Sequence, residues 1–130
     1  MKAYRRRLTS EGTLGAWLRT RRGAYPGRMP YAEVPADEVK ARIARGEDVF
    51  LLDVREPDEV AEWAYPIGVN IPLGQLGDRL DELPRDVPIV VACHVGGRSA
   101  AAAKALSDAG WTAENLTGGA VAWVAGDADS

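Results

Sequence analysis

The chain is poor in the residues that build metal centres and disulfide scaffolds. Its 130 residues include one cysteine, Cys93, and one histidine, His94, side by side. A lone cysteine excludes an internal disulfide framework and any structural zinc site made of several thiols. Long apolar runs are also missing. The longest stretch without a charge, Trp63 to Gly77, is broken by Pro66 and Pro72. A membrane helix needs about 18 or more consecutive apolar residues, so none is expected. Glycine and proline together make up about one residue in six, below the level of a wholly disordered chain. What is present suits one globular domain of ordinary size: 46% hydrophobic and 27% charged residues in 130 positions.

The net charge of −3 conceals two unlike regions. Residues 1–29 carry eight basic residues against a single acid, Glu11, while the remainder carries eight basic and 18 acidic residues. The first segment has little apolar periodicity. It is expected to be a basic N-terminal extension, partly disordered, with at most one short helix around Leu14–Arg22. It lacks the apolar segment of a secretory signal. Its charge suits contact with an anionic partner such as RNA; otherwise no nucleic-acid partner and no membrane partner is expected, and a cytoplasmic location is.

Regular patterning starts near residue 34. Pro35, Asp37 and Glu38 form a helix start, with Val39 and Ile43 on one face and Gly46 as the stop. Val49 to Val54 is a short, nearly unbroken apolar run, which predicts a strand buried on both faces. Pro57 to Trp63 predicts a short acidic helix, and Val69 to Ile71 a short strand. Leu73, Leu76, Leu80 and Leu83 recur at helical spacing up to Pro84. Val87 to Ala92 predicts a second buried strand ending at Cys93. Arg98 to Ala109 predicts an alanine-rich helix capped by Gly110, with Trp111 folding back on it. A strand at Ala113–Leu116 and a last helix at Ala120–Val124 follow. Strands alternating with helices imply a three-layer α/β/α domain with a mostly parallel central sheet. The domain is expected over residues 30–126, with 127–130 as a tail.

The chemistry is concentrated in Cys93-His94-Val95-Gly96-Gly97-Arg98-Ser99. Cys93 stands where a buried strand meets a loop, and ligands of open parallel sheets bind at that end of the strands. Two glycines let the loop curl and turn several N–H groups inward. The helix that follows aims its positive end at the same point. A thiolate there is stabilised, so the thiol should titrate below about 8.5. A cysteine at a strand end can also be no more than a small core residue. It is the two glycines, the arginine and the helix start within five residues that favour reactivity.

This loop resembles the active-site loop of single-domain rhodanese-like sulfurtransferases. Three further segments agree in order: Leu51-Leu52-Asp53-Val54-Arg55-Glu56-Pro57, Asn70-Ile71-Pro72-Leu73, and Asn115-Leu116-Thr117-Gly118-Gly119 followed by Ala122-Trp123. The resemblance covers about residues 31–126. It implies a catalytic Cys93 that accepts a sulfane sulfur as a persulfide, from a small donor such as thiosulfate or another persulfide. A thiol, cyanide or a protein would be the acceptor. Backbone N–H groups from His94 through Ser99 would cradle the outer sulfur, with His94 and Val95 at the pocket mouth. Arg98 would close the loop against an acid, with Asp53 the first candidate. Asp53 and Arg55 could instead form a supporting ion pair. No metal and no organic cofactor is implied. Four residues separate Cys93 from Arg98, the sulfurtransferase spacing; related phosphatases have one more. A Cys-dependent phosphatase or arsenate reductase is therefore the weaker alternative, and a non-catalytic or persulfide-carrying binding module the nearer one. One segment departs from the family. Trp63-Ala64-Tyr65-Pro66-Ile67-Gly68 stands where many members have Gly-His-Ile-Pro-Gly-Ala. The two aromatics imply either a repacked surface loop or a roof over the pocket.

Overall fold

The computed structural model describes residues 31–128. The basic extension at 1–29 lies outside the described residues. Five strands form one sheet in which every pairing is parallel, in the order β1-β5-β4-β2-β3. They are β1 (Ala32–Pro35), β2 (Phe50–Asp53), β3 (Gly68–Asn70), β4 (Ile89–Ala92) and β5 (Ala113–Thr117). The helices are α1 (Ala36–Ala44), α2 (Pro57–Glu62), α3 (Leu73–Leu76), α4 (Gly97–Asp108) and α5 (Gly119–Ala128). None of them is long and apolar enough to cross a membrane.

The two central apolar runs are strands because both of their faces are covered. Every residue of β2 and of β4 is buried. On one face Leu52, Ile89, Val91 and Cys93 pack with Leu76 and with Ala102, Ala103 and Leu106 of α4. On the other, Leu51, Val90, Ala92 and Leu116 pack with Val39 of α1, Tyr65 and Trp123 of α5. The pleat sends alternate side chains to opposite faces, which yields the expected three layers.

Three elements differ from expectation. The edge strand β1 was absent from the sequence reading. Only four residues long, it alternates buried and exposed positions and ends at Pro35, which precedes α1 as its N-cap rather than opening it. The leucine spacing from Leu73 to Leu83 does not yield one helix. It breaks into α3 and a 3-10 turn at Leu80–Glu82, with Gly77 ending α3. Glycine costs helix stability, and Gly74 and Gly77 fall inside the span. Third, α5 runs through Ala128, into the segment expected as tail. The end of α4 is as expected. Gly110 takes φ +102°, and the Trp111 and Gly110 N–H groups donate to Leu106 and Ser107 carbonyls at 2.9 and 3.1 Å, the paired bonds of a glycine-terminated helix.

Candidate active site

Cys93 leaves the end of β4, the sheet's central strand, and the chain turns through Gly96 into α4. Gly96 has φ +109°, and a side chain there would crowd the Gly118 backbone at 3.3 Å. This turn folds the loop back on the sulfur. The Gly96 N–H donates to Cys93 Sγ at 3.1 Å and the Ser99 N–H at 3.4 Å. The Ser99 hydroxyl lies 3.3 Å from the same sulfur. Burial pushes the thiol up; hydrogen bonding from Ser99 and from the N–H groups of Gly96 and Val95 outweighs it, so the thiol titrates below its ordinary value. Hydrogen bonds to the charged form act in this direction.

The cysteine's carbonyl is held as firmly as its sulfur. It accepts the Ala120 N–H at 2.9 Å and the Tyr65 hydroxyl at 2.7 Å. The Val121 N–H donates to the His94 carbonyl at 3.1 Å. Gly119 permits this approach: a Cβ there would stand 2.6 Å from the Cys93 and His94 carbonyl oxygens. The loop is therefore pinned between the start of α5 and Tyr65. Tyr65 is 3% exposed, so it is neither a surface residue nor a lid. Its ring packs edge-on against Trp63 and Trp123, and burial raises its hydroxyl above the ordinary tyrosine range.

Arg98 closes the loop, but not against Asp53. Its two terminal nitrogens donate to Glu59 of α2 at 2.7 and 2.8 Å. Glu59 also accepts the Glu56 N–H at 2.9 Å. Together these lower its carboxyl from 4.5 to about 2, Arg98 being the larger cause. Asp53 is occupied by Arg55, whose Nε and a terminal nitrogen donate to it at 2.9 and 2.7 Å. Arg55 also donates to the Trp63 carbonyl at 2.8 Å. The pair thus ties the end of β2 to the segment that follows α2. The sequence reading did not single out Glu59; its one signal was the acidic character of the helix that carries it.

Beside the loop opens a cavity of about 530 Å3. Its lining includes His94, Trp63, Glu62, Val121 and Val124. His94 is exposed, as are Val95, Val121 and Val124. Of the two residues expected at a pocket mouth, His94 lines this cavity and Val95 is exposed outside its lining. Among the described residues no group of three or more His, Cys, Asp or Glu side chains is arranged to hold a metal ion.

Comparison with known proteins places this geometry. The rhodanese-like domain family matches residues 35–126. The chain belongs to the rhodanese-like family. YtwF of Bacillus subtilis is 35% identical over 95 residues, covering 73% of this chain and 92% of that protein. A sulfurtransferase of Allochromatium vinosum is 35% identical over 92 residues, covering 70% of this chain and 86% of that one. The crystal structure of a rhodanese-like domain protein from Staphylococcus aureus superposes with a TM-score of 0.68 at 29% identity, covering 71% of this chain and 90% of that one. The four ordered segments that carried the resemblance thus belong to a rhodanese-like sulfurtransferase fold.

Proposed function

We propose that this rhodanese-like domain transfers a sulfane sulfur from thiosulfate to an external thiophile through a persulfide on Cys93. The observation that carries the reading is the placement of Cys93 Sγ under two inward N–H groups, at 3.1 and 3.4 Å. The Cys93 thiolate attacks the sulfane sulfur of thiosulfate. The donor's S–S bond breaks and sulfite leaves with the bonding pair. The resulting persulfide anion is attacked at its outer sulfur by a thiolate or cyanide, and the Cys93 thiolate is the leaving group. Covalent capture divides the transfer into two easier displacements, and the loop amides offset the negative charge at each. With a single cysteine in the chain, no internal thiol resolves the persulfide. The acceptor enters from solution, and the cavity that His94 lines is the space beside the loop where it would dock.

The same geometry weighs against the phosphatase alternative. Each terminal nitrogen of Arg98 gives one N–H to Glu59, so the bidentate edge of the guanidinium is spent on a carboxylate rather than held open for a phosphate. Intact-protein mass spectrometry after incubation with thiosulfate should show a gain of one sulfur atom. The gain should disappear in Cys93→Ser, together with sulfur transfer to cyanide. Undiminished transfer by Cys93→Ser would overturn the reading.

A further inference from the structure

Glu33 stands on the edge strand β1, 60 positions before the cysteine, and reaches it through two buried side chains. It pairs in register with Asn115 on β5. Asn115 Nδ2 donates to Glu33 Oε1 at 3.0 Å and Oε2 at 3.3 Å, and Thr117 Oγ1 donates to Oε1 at 3.0 Å. An ionised carboxylate only accepts hydrogen bonds, so it fixes which way the amide faces. The NH2 points to Glu33, with the Gly96 carbonyl a more distant acceptor at 3.4 Å. The amide oxygen points to Ser99, whose hydroxyl donates to it at 2.5 Å. Ser99 is fully buried and Asn115 is 4% exposed.

A serine hydroxyl has one proton to give. Asn115 Oδ1 and Cys93 Sγ compete for it, and Asn115 is at the shorter distance, 2.5 against 3.3 Å. With the proton drawn to the Asn115 side, Ser99 accepts S–H from the neutral thiol readily and gives the thiolate a weaker bond than a hydroxyl free of Asn115 would. The N–H groups of Gly96, Val95 and Ser99 carry the rest. A thiolate with weaker hydrogen bonds is more basic, and nucleophilicity rises with basicity.

We propose that Glu33 is a positioning residue that, through Asn115, holds the Ser99 hydroxyl proton away from the Cys93 thiolate and keeps that sulfur strongly nucleophilic. The inference rests on Cys93 being the reacting thiol. The other charged or titratable groups near the cysteine are accounted for. Arg98 of α4 is closed by Glu59 of α2, with Glu56 beside them. Arg55 closes Asp53 behind β2, buried Tyr65 faces the carbonyl, and His94 is exposed in the loop.

The test is an ultraviolet titration of the thiolate, which reads Cys93 alone because the chain has no other cysteine; Cys93→Ser is the blank. Glu33→Leu releases the amide to turn, whereas Glu33→Gln keeps an acceptor oxygen for Asn115 and removes the charge. The midpoint should fall by about half to one pH unit in Glu33→Leu, because the hydroxyl can then bond more strongly to the charged sulfur. It should stay at the wild-type position in Glu33→Gln. In a Ser99→Ala background, Glu33→Leu should have no effect, as expected when two residues act through one path. Glu33→Ala gives the same reading should leucine disturb the edge strand. An unchanged midpoint in both Leu and Ala variants overturns the proposal. So does an equal fall in Glu33→Gln, which would mark a through-space charge, or a response that survives Ser99→Ala. No sulfur donor is needed, so the titration and the transfer reaction fail independently.

Discussion

Two acid–arginine pairs flank the cysteine loop, and they share little beyond their chemistry. Asp53 and Arg55 are two residues apart, with side chains 2% and 3% exposed. Glu59 and Arg98 are 39 residues apart, with side chains 33% and 38% exposed. The interior pair is surrounded by further bonds. Arg55 holds the Trp63 carbonyl and stacks on Trp63 and Tyr65, and Asn70 Nδ2 caps the Asp53 and Arg55 carbonyls at 2.9 Å. The outer pair has the loop on one side and the start of α2 on the other. The difference is one of placement: the interior pair ties the end of β2 to the Trp63 carbonyl, and the outer pair ties the start of α4 to α2.

The sharpest way to break the comparison is at the interior pair. Asp53→Asn leaves the Arg55 charge buried without its counter-charge, and such a change costs about 3–5 kcal/mol. Urea unfolding should show this as a large fall in midpoint with little change in slope. The same exchange at the outer pair, Glu59→Gln, should cost less than about 1 kcal/mol, since water screens a half-exposed pair. Equal losses at the two sites would show that exposure does not distinguish them.

The two pairs also mark what a sequence can show. Asp53 and Arg55 are neighbours at a strand exit, so a supporting pair was among the readings offered for them. The cysteine loop is contiguous, so the order of its residues was enough to mark it as the candidate site. Glu59 could not be assigned to Arg98 in the same way, because only the docking of α2 against the loop brings them together. Glu33 needed more still: an edge strand of four residues, with too little pattern to stand out, and its register against β5. Tyr65 was visible as a departure from the family, yet its bond to the Cys93 carbonyl depends on a side chain crossing from the β3 approach to the end of β4. Contacts within one short segment were legible, and those that depend on packing were not.

A third tie lies between the two pairs and should give an intermediate effect. The Tyr65 ring stacks on Arg55, and its hydroxyl reaches the Cys93 carbonyl. Tyr65→Phe keeps the ring and removes the hydroxyl. The carbonyl retains the Ala120 N–H, so no buried acceptor is left bare, and the loss should be about 1 kcal/mol. Chemical denaturation measures it. A loss as large as that of Asp53→Asn would place the tyrosine hydroxyl in the interior framework rather than between the two pairs.

The smallest effect is the pH dependence of the outer pair. Arg98 and the Glu56 N–H hold Glu59 at about 2, below its ordinary 4.5. A carboxyl with a depressed folded value stabilises the fold fully above its unfolded value, and the contribution is lost as pH falls toward the folded one. The contribution of Glu59 should therefore be intact at neutral pH, begin to decline near 4.5, and be gone near 2. In Glu59→Gln that share of the acid sensitivity is missing. The difference in unfolding free energy between wild type and Glu59→Gln should therefore be constant above about pH 5 and shrink below it. The Asp53–Arg55 pair is untouched by the substitution and cancels in the difference. A difference that stays constant from neutral pH down to the acid limit of folding would mean that the Arg98 contact does not bind the proton-free carboxylate preferentially. Loop closure would then rest on the cysteine carbonyl and its two donors, Ala120 and Tyr65.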